Sequence, residues 1–326
     1  MAHIDDIIIV SPKKERIKQV LDALNRDIKV KDLGEASIFL GMEIKRDRVT
    51  KTLELHQKAY TERILAKYRP NLKPKTSAKG QMIPMSVGQD LDVYEEQQDP
   101  EVTKQYQREV GSILYLSNKT RPDIAYVIGV LSRYLSNPGP QHLNALDQLW
   151  EYLANWPNLG ILFNHPEPIL QHYVDSDYGG DKMTRRSTTG YISLFRGGPI
   201  AWQSRLQKTV ALSSCEAEYM ALREAIKEQL YLANIGKELP MFEGYIQGQK
   251  VYTDSQSAIK LALNPRHHQR TKHVDILYHF IRERVQSKDV ELIHIGTKNQ
   301  LADYLTKAMA STNWPEFISK IGLKAR

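Results

Sequence analysis

The chain has 326 residues, a net charge of +7 and one cysteine, Cys215, and 25% of its residues are charged and 41% hydrophobic. This composition is typical of a globular protein; it excludes a disordered chain, and the lone cysteine excludes an internal disulfide. The length allows two domains with separate cores, the pI of about 9.2 favours a polyanionic partner, and the apolar run Ile7–Val10 is too short to span a bilayer.

The N-terminal segment places two acidic residues, Asp5 and Asp6, directly before the apolar run Ile7–Val10. An acidic pair before an apolar strand is common and by itself indicates no particular chemistry. The order nevertheless resembles the Asp-Asp hairpin of reverse transcriptases, with His3 in the position of the usual aromatic residue. This resemblance implies that Asp5 and Asp6 are polymerase carboxylates that help to hold Mg²⁺.

A helix is predicted after this segment, because Ser11 is a capping residue and Pro12 suits the first turn of a helix. Two further stretches, Lys31–Ile44 and Gln57–Tyr68, follow in the order seen in copia-type polymerases. The resemblance implies a strand-rich part of the palm for the first stretch and a helix that leads toward the thumb for the second.

A linker is predicted at about residues 69–100, where four prolines interrupt a polar run without an apolar period. Helical spacing of apolar residues resumes in Tyr106–Arg133 and again in His142–Leu153. The sequence GSILYLSNKTRPDIAYVIGVLSRYL resembles the connection segment of copia-type polyproteins. Helix packing without chemistry is the preferred interpretation of this region.

Four carboxylates in the C-terminal half are candidate metal ligands. Asp175 and Asp254 each end a predicted strand, Glu218 lies in a long helical pattern, and Asp303 lies in a predicted short helix whose start, Thr297–Gln300, has a capping-box pattern. A single acidic pair at a strand end is usually a solvated loop. Carboxylates on four separate elements instead indicate a site for Mg²⁺, which prefers oxygen ligands.

Helical geometry distinguishes Glu218 from the nearby Glu216 in the helix that Ser213 or Ser214 is predicted to cap. Glu218 lies four residues before Leu222, which belongs to the apolar face, whereas Glu216 lies on a largely polar face. A carboxylate on the buried face needs a partner, and a metal ion is one. Glu218 is therefore the predicted ligand and Glu216 a solvated neighbour.

A series of motifs over about residues 169–310 resembles the ribonuclease H region of copia-type retrotransposon polyproteins. The motifs are VDSDYGG, RRSTTGYISLF, PIAWQSR, SSCEAEYMAL, TDSQSAIKLALNP, RTKHVDILYHFIRE and NQLADYLTK, in this order. The resemblance implies that Asp175, Glu218, Asp254 and Asp303 hold two Mg²⁺ ions, for which Mn²⁺ substitutes, and cut the RNA strand of an RNA–DNA hybrid. One departure is that Gly296–Asn299 lacks the histidine that many ribonucleases H carry before the last aspartate.

Two basic clusters are candidate contacts to nucleic acid. Arg266–Arg284 holds four histidines and five arginines or lysines, and Arg185-Arg186 follows the Asp175 strand. A zinc site in the first cluster lacks a cysteine partner and an HxxxH pattern, which leaves a solvated basic helix or a phosphate contact. The residues predicted to contact nucleic acid are Arg185, Arg186, Arg270, Lys272 and His273.

The predicted fold class is α/β, with an α+β palm and thumb remnant followed by a ribonuclease H-like mixed-sheet domain with flanking helices. The predicted segments are a truncated reverse transcriptase (1–85), a helical connection (86–168), the ribonuclease H-like domain (169–312) and a tail (313–326). The expected partner is an RNA–DNA hybrid or other nucleic acid, with other parts of a parent polyprotein as further candidates. No membrane partner and an intracellular location are expected.

Three alternatives to hybrid cleavage stay open. The chain could be an inactive relic that only binds nucleic acid, a structural protein adopted by the host, or part of a polymerase that works only in a longer polyprotein. The chain alone is not expected to polymerise DNA, because the carboxylate of an earlier palm strand precedes the Asp-Asp hairpin in reverse transcriptases and is not in this sequence.

Overall fold

The computed structural model describes residues 2–3, 6–74, 83–89, 91–167, 169–239, 249–263 and 272–325, with side chains from residue 6 onward except at 272–278. Asp5 and Arg270 therefore lie outside the described residues, and so do the side chains of Lys272 and His273. Helices and strands are mixed throughout the described part of the chain, which confirms the predicted α/β class.

The elements of the described residues are numbered in chain order. The strands are β1 (Ala2–His3), β2 (Asp6–Ile7), β3 (Ile38–Phe39), β4 (Met42–Asp47), β5 (Thr52–His56), β6 (Gly160–Phe163), β7 (Leu170–Ser176), β8 (Thr188–Phe195), β9 (Gly198–Leu206), β10 (Gln249–Thr253), β11 (Val290–His294) and β12 (Leu323–Lys324). The α-helices are α1 (Lys14–Asp27), α2 (Lys58–Tyr68), α3 (Pro100–Lys119), α4 (Ala125–Leu131), α5 (Pro140–Asn155), α6 (Ser214–Lys237), α7 (Gln256–Leu263), α8 (Lys272–Gln286) and α9 (Trp314–Lys320).

One sheet has five strands in the order β11-β10-β7-β8-β9. Strands β7, β8 and β9 form an antiparallel meander, whereas β10 runs parallel to both β7 and β11. Val174 of β7, Val251 of β10 and Leu222 of α6 lie in one buried cluster, so the long helix covers this sheet. Because β7 and β10 are parallel neighbours, their C-terminal ends meet at the same edge of the sheet.

The second sheet has five strands in the order β12-β6-β5-β4-β3, all of them antiparallel. Its strands come from the segments predicted as the truncated polymerase, the connection and the tail. Trp314 and Phe317 of α9 are buried in the core that the sheet shares with α3, α4 and α5. The division of the chain into four segments stays a prediction.

A buried ion pair lies between α3 and α4, in the TRPD turn. Arg121 is only 1% exposed, and its Nε and Nη2 atoms donate to the carboxylate of Asp123 at 2.9 and 2.8 Å. Its Nη1 atom donates to the carbonyl oxygen of Trp156 at 2.8 Å, and the hydroxyl of Tyr152 donates to Asp123 at 2.7 Å. The network therefore joins this turn to the C-terminal end of α5.

The start of α1 differs from the prediction by two residues. The helix begins at Lys14, and the Ser11 hydroxyl accepts a hydrogen bond from the backbone N–H of Lys13 at 3.2 Å. The serine thus closes a turn before the helix, which is why it does not cap the helix itself. Among the described residues, no helix has both the length and the apolar character needed to cross a bilayer.

Candidate metal centre

Strand β7 carries Asp175 to the edge of the first sheet, where the residue is 5% exposed. Its partner on β8 is Gly190. A Cβ atom on Gly190 would lie 2.8 Å from Cγ2 of Thr306 and 2.9 Å from the carbonyl oxygen of Ala302. Gly190 is therefore needed because a C-terminal 3₁₀ turn lies directly against the sheet beside Asp175.

Asp254 directly follows β10, the parallel neighbour of β7, which brings its carboxylate to the same edge of the sheet. The hydroxyl of Thr297 donates a hydrogen bond to Asp254 Oδ2 at 2.9 Å. Thr297 therefore does not start the capping box that the sequence predicts. Two short 3₁₀ turns, Thr297–Asn299 and Leu301–Leu305, replace the predicted helix. Thr297, at the start of the first turn, orients the carboxylate of Asp254.

The two glutamates at the start of α6 have different surroundings. Ser213 caps the helix by accepting from the N–H of Glu216 at 3.2 Å, and Glu216 Oε2 accepts from the N–H of Leu212 at 2.9 Å. Glu216 thus makes its contacts within the N-terminal cap of the helix. Glu218 points to the sheet edge instead, and its Oε2 atom is buried without a hydrogen-bond partner.

Asp175, Glu218 and Asp254 converge, and one carboxylate oxygen from each lies within 4.8 Å of the other two. Burial, followed by the charge of Asp303, raises the pKa of Asp175 to about 7. Burial, followed by the charges of Asp175 and Asp254, raises the pKa of Glu218 to about 9. Each of these carboxylates disfavours the ionised form of its neighbours, and Oε2 of Glu218 has no hydrogen-bond partner. A divalent cation that prefers oxygen ligands would satisfy both conditions.

Asp303 lies in the 3₁₀ turn Leu301–Leu305, beside this group of three. Its Oδ2 atom forms an ion pair with Lys307 Nζ at 2.9 Å. The hydroxyl of Thr306 donates to Asp175 Oδ2 at 2.7 Å and to the Asp303 carbonyl oxygen at 2.9 Å. Although burial acts to lower it, the hydrogen bond and charge of Asp303 raise the pKa of Lys307, so its ammonium group stays charged.

The structure thus brings the four predicted carboxylates to one edge of the first sheet. Of the other candidate residues that the structure describes with side chains, Asp6 is exposed on β2, Arg185 is exposed with a φ of 56°, and Arg186 is half-buried. The sequence interpretation missed Thr306 and Lys307. Their spacing from Asp303, three and four residues, is the signal that could have identified them, because one helical turn brings such residues to the same face.

Replacing Glu218 by Gln is expected to weaken binding of Mn²⁺ by about tenfold or more, because the change removes a charged oxygen ligand. Replacing Glu216 by Gln is the matched control. The amide oxygen of Gln still accepts from the N–H of Leu212, so both metal affinity and melting temperature should stay near those of the parent protein. Titration of each purified variant with Mn²⁺, followed by the paramagnetic resonance of the free ion, measures the difference. Equal losses in both variants would contradict the placement of Glu218.

The family model described as reverse transcriptase (RNA-dependent DNA polymerase) matches residues 1–87. Most of this chain is similar to the retrovirus-related Pol polyprotein from transposon TNT 1-94 of Nicotiana tabacum. The identity is 39% over 310 residues, which are 95% of this chain and 23% of that protein. The Pol polyprotein from transposon RE1 of Arabidopsis thaliana is 37% identical over 324 residues, covering 99% of this chain and 21% of that protein. The chain therefore spans less than a quarter of the length of these relatives.

Among solved structures, LC11-RNase H1, isolated from compost by a metagenomic approach, aligns with 43% of this chain and 94% of its own chain. The sequence identity is 17% and the TM-score is 0.32.

Proposed function

The chain belongs to the retrovirus-related Pol polyproteins of copia-type transposons, and from this premise we propose that it is a ribonuclease of the H type. The proposed reaction is endonucleolytic hydrolysis of the RNA strand of an RNA–DNA hybrid. The convergence of Asp175, Glu218 and Asp254 at one sheet edge, with the unpartnered oxygen of Glu218, is the observation that carries this proposal.

The carboxylates would hold two Mg²⁺ ions or Mn²⁺ in their place. When bound, such ions lower the pKa of a coordinated water and neutralise charge on the attacking and leaving oxygens of a phosphodiester. The protein's part is to fix the oxygen ligands: Thr306 orients Asp175, and Thr297 orients Asp254. Rigid carboxylates on a sheet edge hold a metal more precisely than carboxylates on free loops would.

The charge of the chain supports a nucleic-acid substrate. A net charge of +7 favours a polyanion, and the exposed Arg185 follows the strand that carries Asp175. Selection of RNA would come from the 2′-hydroxyl groups that an A-form-like hybrid displays in its wide minor groove. A phosphate contact from the basic stretch 266–284 stays a prediction, because Arg270 and the side chains of Lys272 and His273 lie outside the described residues.

The test is cleavage of matched duplexes in Mg²⁺. The protein should cut the RNA strand of a labelled hybrid and leave a DNA duplex of the same sequence intact, because only the hybrid offers 2′-hydroxyls. A hybrid whose RNA strand carries 2′-O-methyl groups is the control and should also resist. Equal cleavage of hybrid and duplex DNA would indicate a general nuclease, and binding without cleavage would indicate an inactive relic.

A second candidate function is RNA-directed DNA polymerisation within a longer polyprotein. The match of residues 1–87 to the reverse transcriptase family model favours it. Extension of a primed template by a longer Pol protein that contains this segment, and its loss when both Asp5 and Asp6 are changed to Asn, distinguishes this function from hybrid cleavage.

A further inference from the structure

The residues from 297 to 307, called here the closing segment, supply a partner to three of the four carboxylates. The contacts are Thr297 to Asp254 at 2.9 Å, Thr306 to Asp175 at 2.7 Å and Lys307 to Asp303 at 2.9 Å. Two of these partners are neutral hydroxyl groups, which can keep their hydrogen bond to one carboxylate oxygen while another oxygen binds a metal ion. The third is a cation.

Lys307 places a positive charge where a metal ion would bring its own. Asp303 does not belong to the group whose oxygens lie within 4.8 Å of one another, and its Oδ2 atom is engaged by Lys307 instead. The side chain of Asp303 is 13% exposed, whereas that of Lys307 is 54% exposed. The ammonium group can therefore leave into water, while the carboxylate has no comparable alternative.

We propose that Lys307 is a positioning residue that occupies Asp303 in the metal-free protein and competes with the divalent cation for it. The inference rests on the proposed metal-dependent function of the same centre. Before metal binds, the ammonium group compensates part of the negative charge of the cluster. When metal binds, the ammonium group of Lys307 must leave Oδ2 of Asp303, so Lys307 lowers the affinity of the centre for the metal ion.

The size of the competition follows from the charges. The two opposite charges attract each other strongly because Asp303 is mostly buried, and solvent at the half-exposed lysine weakens this attraction. Replacing Lys307 by Met keeps the length of the side chain and removes the charge. We therefore expect the Lys307→Met variant to bind Mn²⁺ about tenfold more tightly than the parent protein.

The experiment is a titration of the full chain with Mn²⁺ alone, without nucleic acid, followed by the paramagnetic resonance of the free ion. Lys307→Arg should stay near the parent affinity because it keeps the charge. Lys104→Met is the matched control, since Lys104 forms a similar exposed ion pair with Glu101 at 2.8 Å on α3. Its affinity for Mn²⁺ should not change.

Thermal melting gives a second readout that does not depend on catalysis. A ligand that binds only the folded state stabilises it by an amount that grows as its dissociation constant falls. The rise in melting temperature between EDTA and saturating Mn²⁺ should therefore be larger in Lys307→Met than in the parent protein. Lys307→Gln, carried in parallel, provides the same test if the Met variant does not fold.

The outcomes separate the two proposals. Tighter Mn²⁺ binding in Lys307→Met with parent-like binding in Lys307→Arg supports the competition, whether or not the protein cuts a hybrid. Unchanged or weaker binding in Lys307→Met overturns it and leaves the ion pair a surface contact. If the parent protein binds no Mn²⁺, both the competition and the metal-dependent function are contradicted. If it binds Mn²⁺ but does not cut a hybrid, only the proposed function is contradicted.

Discussion

Replacing Asp254 by Asn is expected to reduce hybrid cleavage by about 100-fold or more while leaving the protein folded. The substitution keeps the size of the side chain and its acceptor for the Thr297 hydroxyl, and it removes a charge from the group that faces Asp175 and Glu218. Loss of one preorganised electrostatic contact at a reacting centre typically costs about 10²–10³ in rate. Without metal, the variant should melt no lower than the parent, because one source of like-charge repulsion is gone.

Initial rates on a labelled RNA–DNA hybrid and melting curves in EDTA check both parts of this expectation. Asp92→Asn is the matched control, because Asp92 is exposed and lies on a segment before α3. It should cut at the parent rate. Hybrid cleavage by Asp254→Asn at the parent rate would contradict the assignment of Asp254 to the metal centre.

Replacing Asp123 by Asn is expected to lower the free energy of unfolding by about 3 kcal/mol or more. Arg121 is 1% exposed, so the variant leaves a guanidinium group buried without its counter-charge. Asn has one acceptor oxygen and a donor NH₂ group where the carboxylate has two oxygens that accept from Nε and Nη2 and from the hydroxyl of Tyr152. Removing one partner of a buried pair costs more than the pair itself contributes.

Urea unfolding followed by tryptophan fluorescence measures this loss. Glu35→Gln is the matched control, because Glu35 pairs with Arg48 at the same 2.8 Å but both side chains are 65% exposed. Exposed pairs contribute about 0–1 kcal/mol, so its unfolding free energy should hardly change. A loss in Asp123→Asn no greater than in Glu35→Gln would show that the buried network contributes little.

Much of the first sheet could be predicted from the sequence, because periodicity reports which face of an element is buried. The sequence predicted a strand ending at Asp175 and another ending at Asp254, where β7 and β10 end to within one residue. The choice of Glu218 over Glu216 followed from the position of Leu222, and the structure places Glu218 at the sheet edge and Glu216 in the helix cap.

Other features depend on contacts that no local pattern records. Strand β12 has two residues, which is too short for any periodicity, and its pairing with β6 is fixed by tertiary packing. The sequence from Thr297 onward indicates only the start of an ordinary short helix. The hydroxyl groups of Thr297 and Thr306 orient Asp254 and Asp175 because residues distant in sequence meet at one edge.

Because β12 pairs with β6, which also pairs with β5, the second sheet joins strands that are made at different times during synthesis. Strand β5 is made long before β12, so this sheet is complete only after Leu323–Lys324 have emerged, and contacts between such distant residues form slowly. Tyr304, next to Asp303, stacks on Phe317 of α9 with 3.7 Å between ring centroids. The turn that carries Asp303 is therefore supported by α9. The candidate centre should therefore be complete only after α9 and β12 have been made, and not as soon as β7 and β10 have emerged.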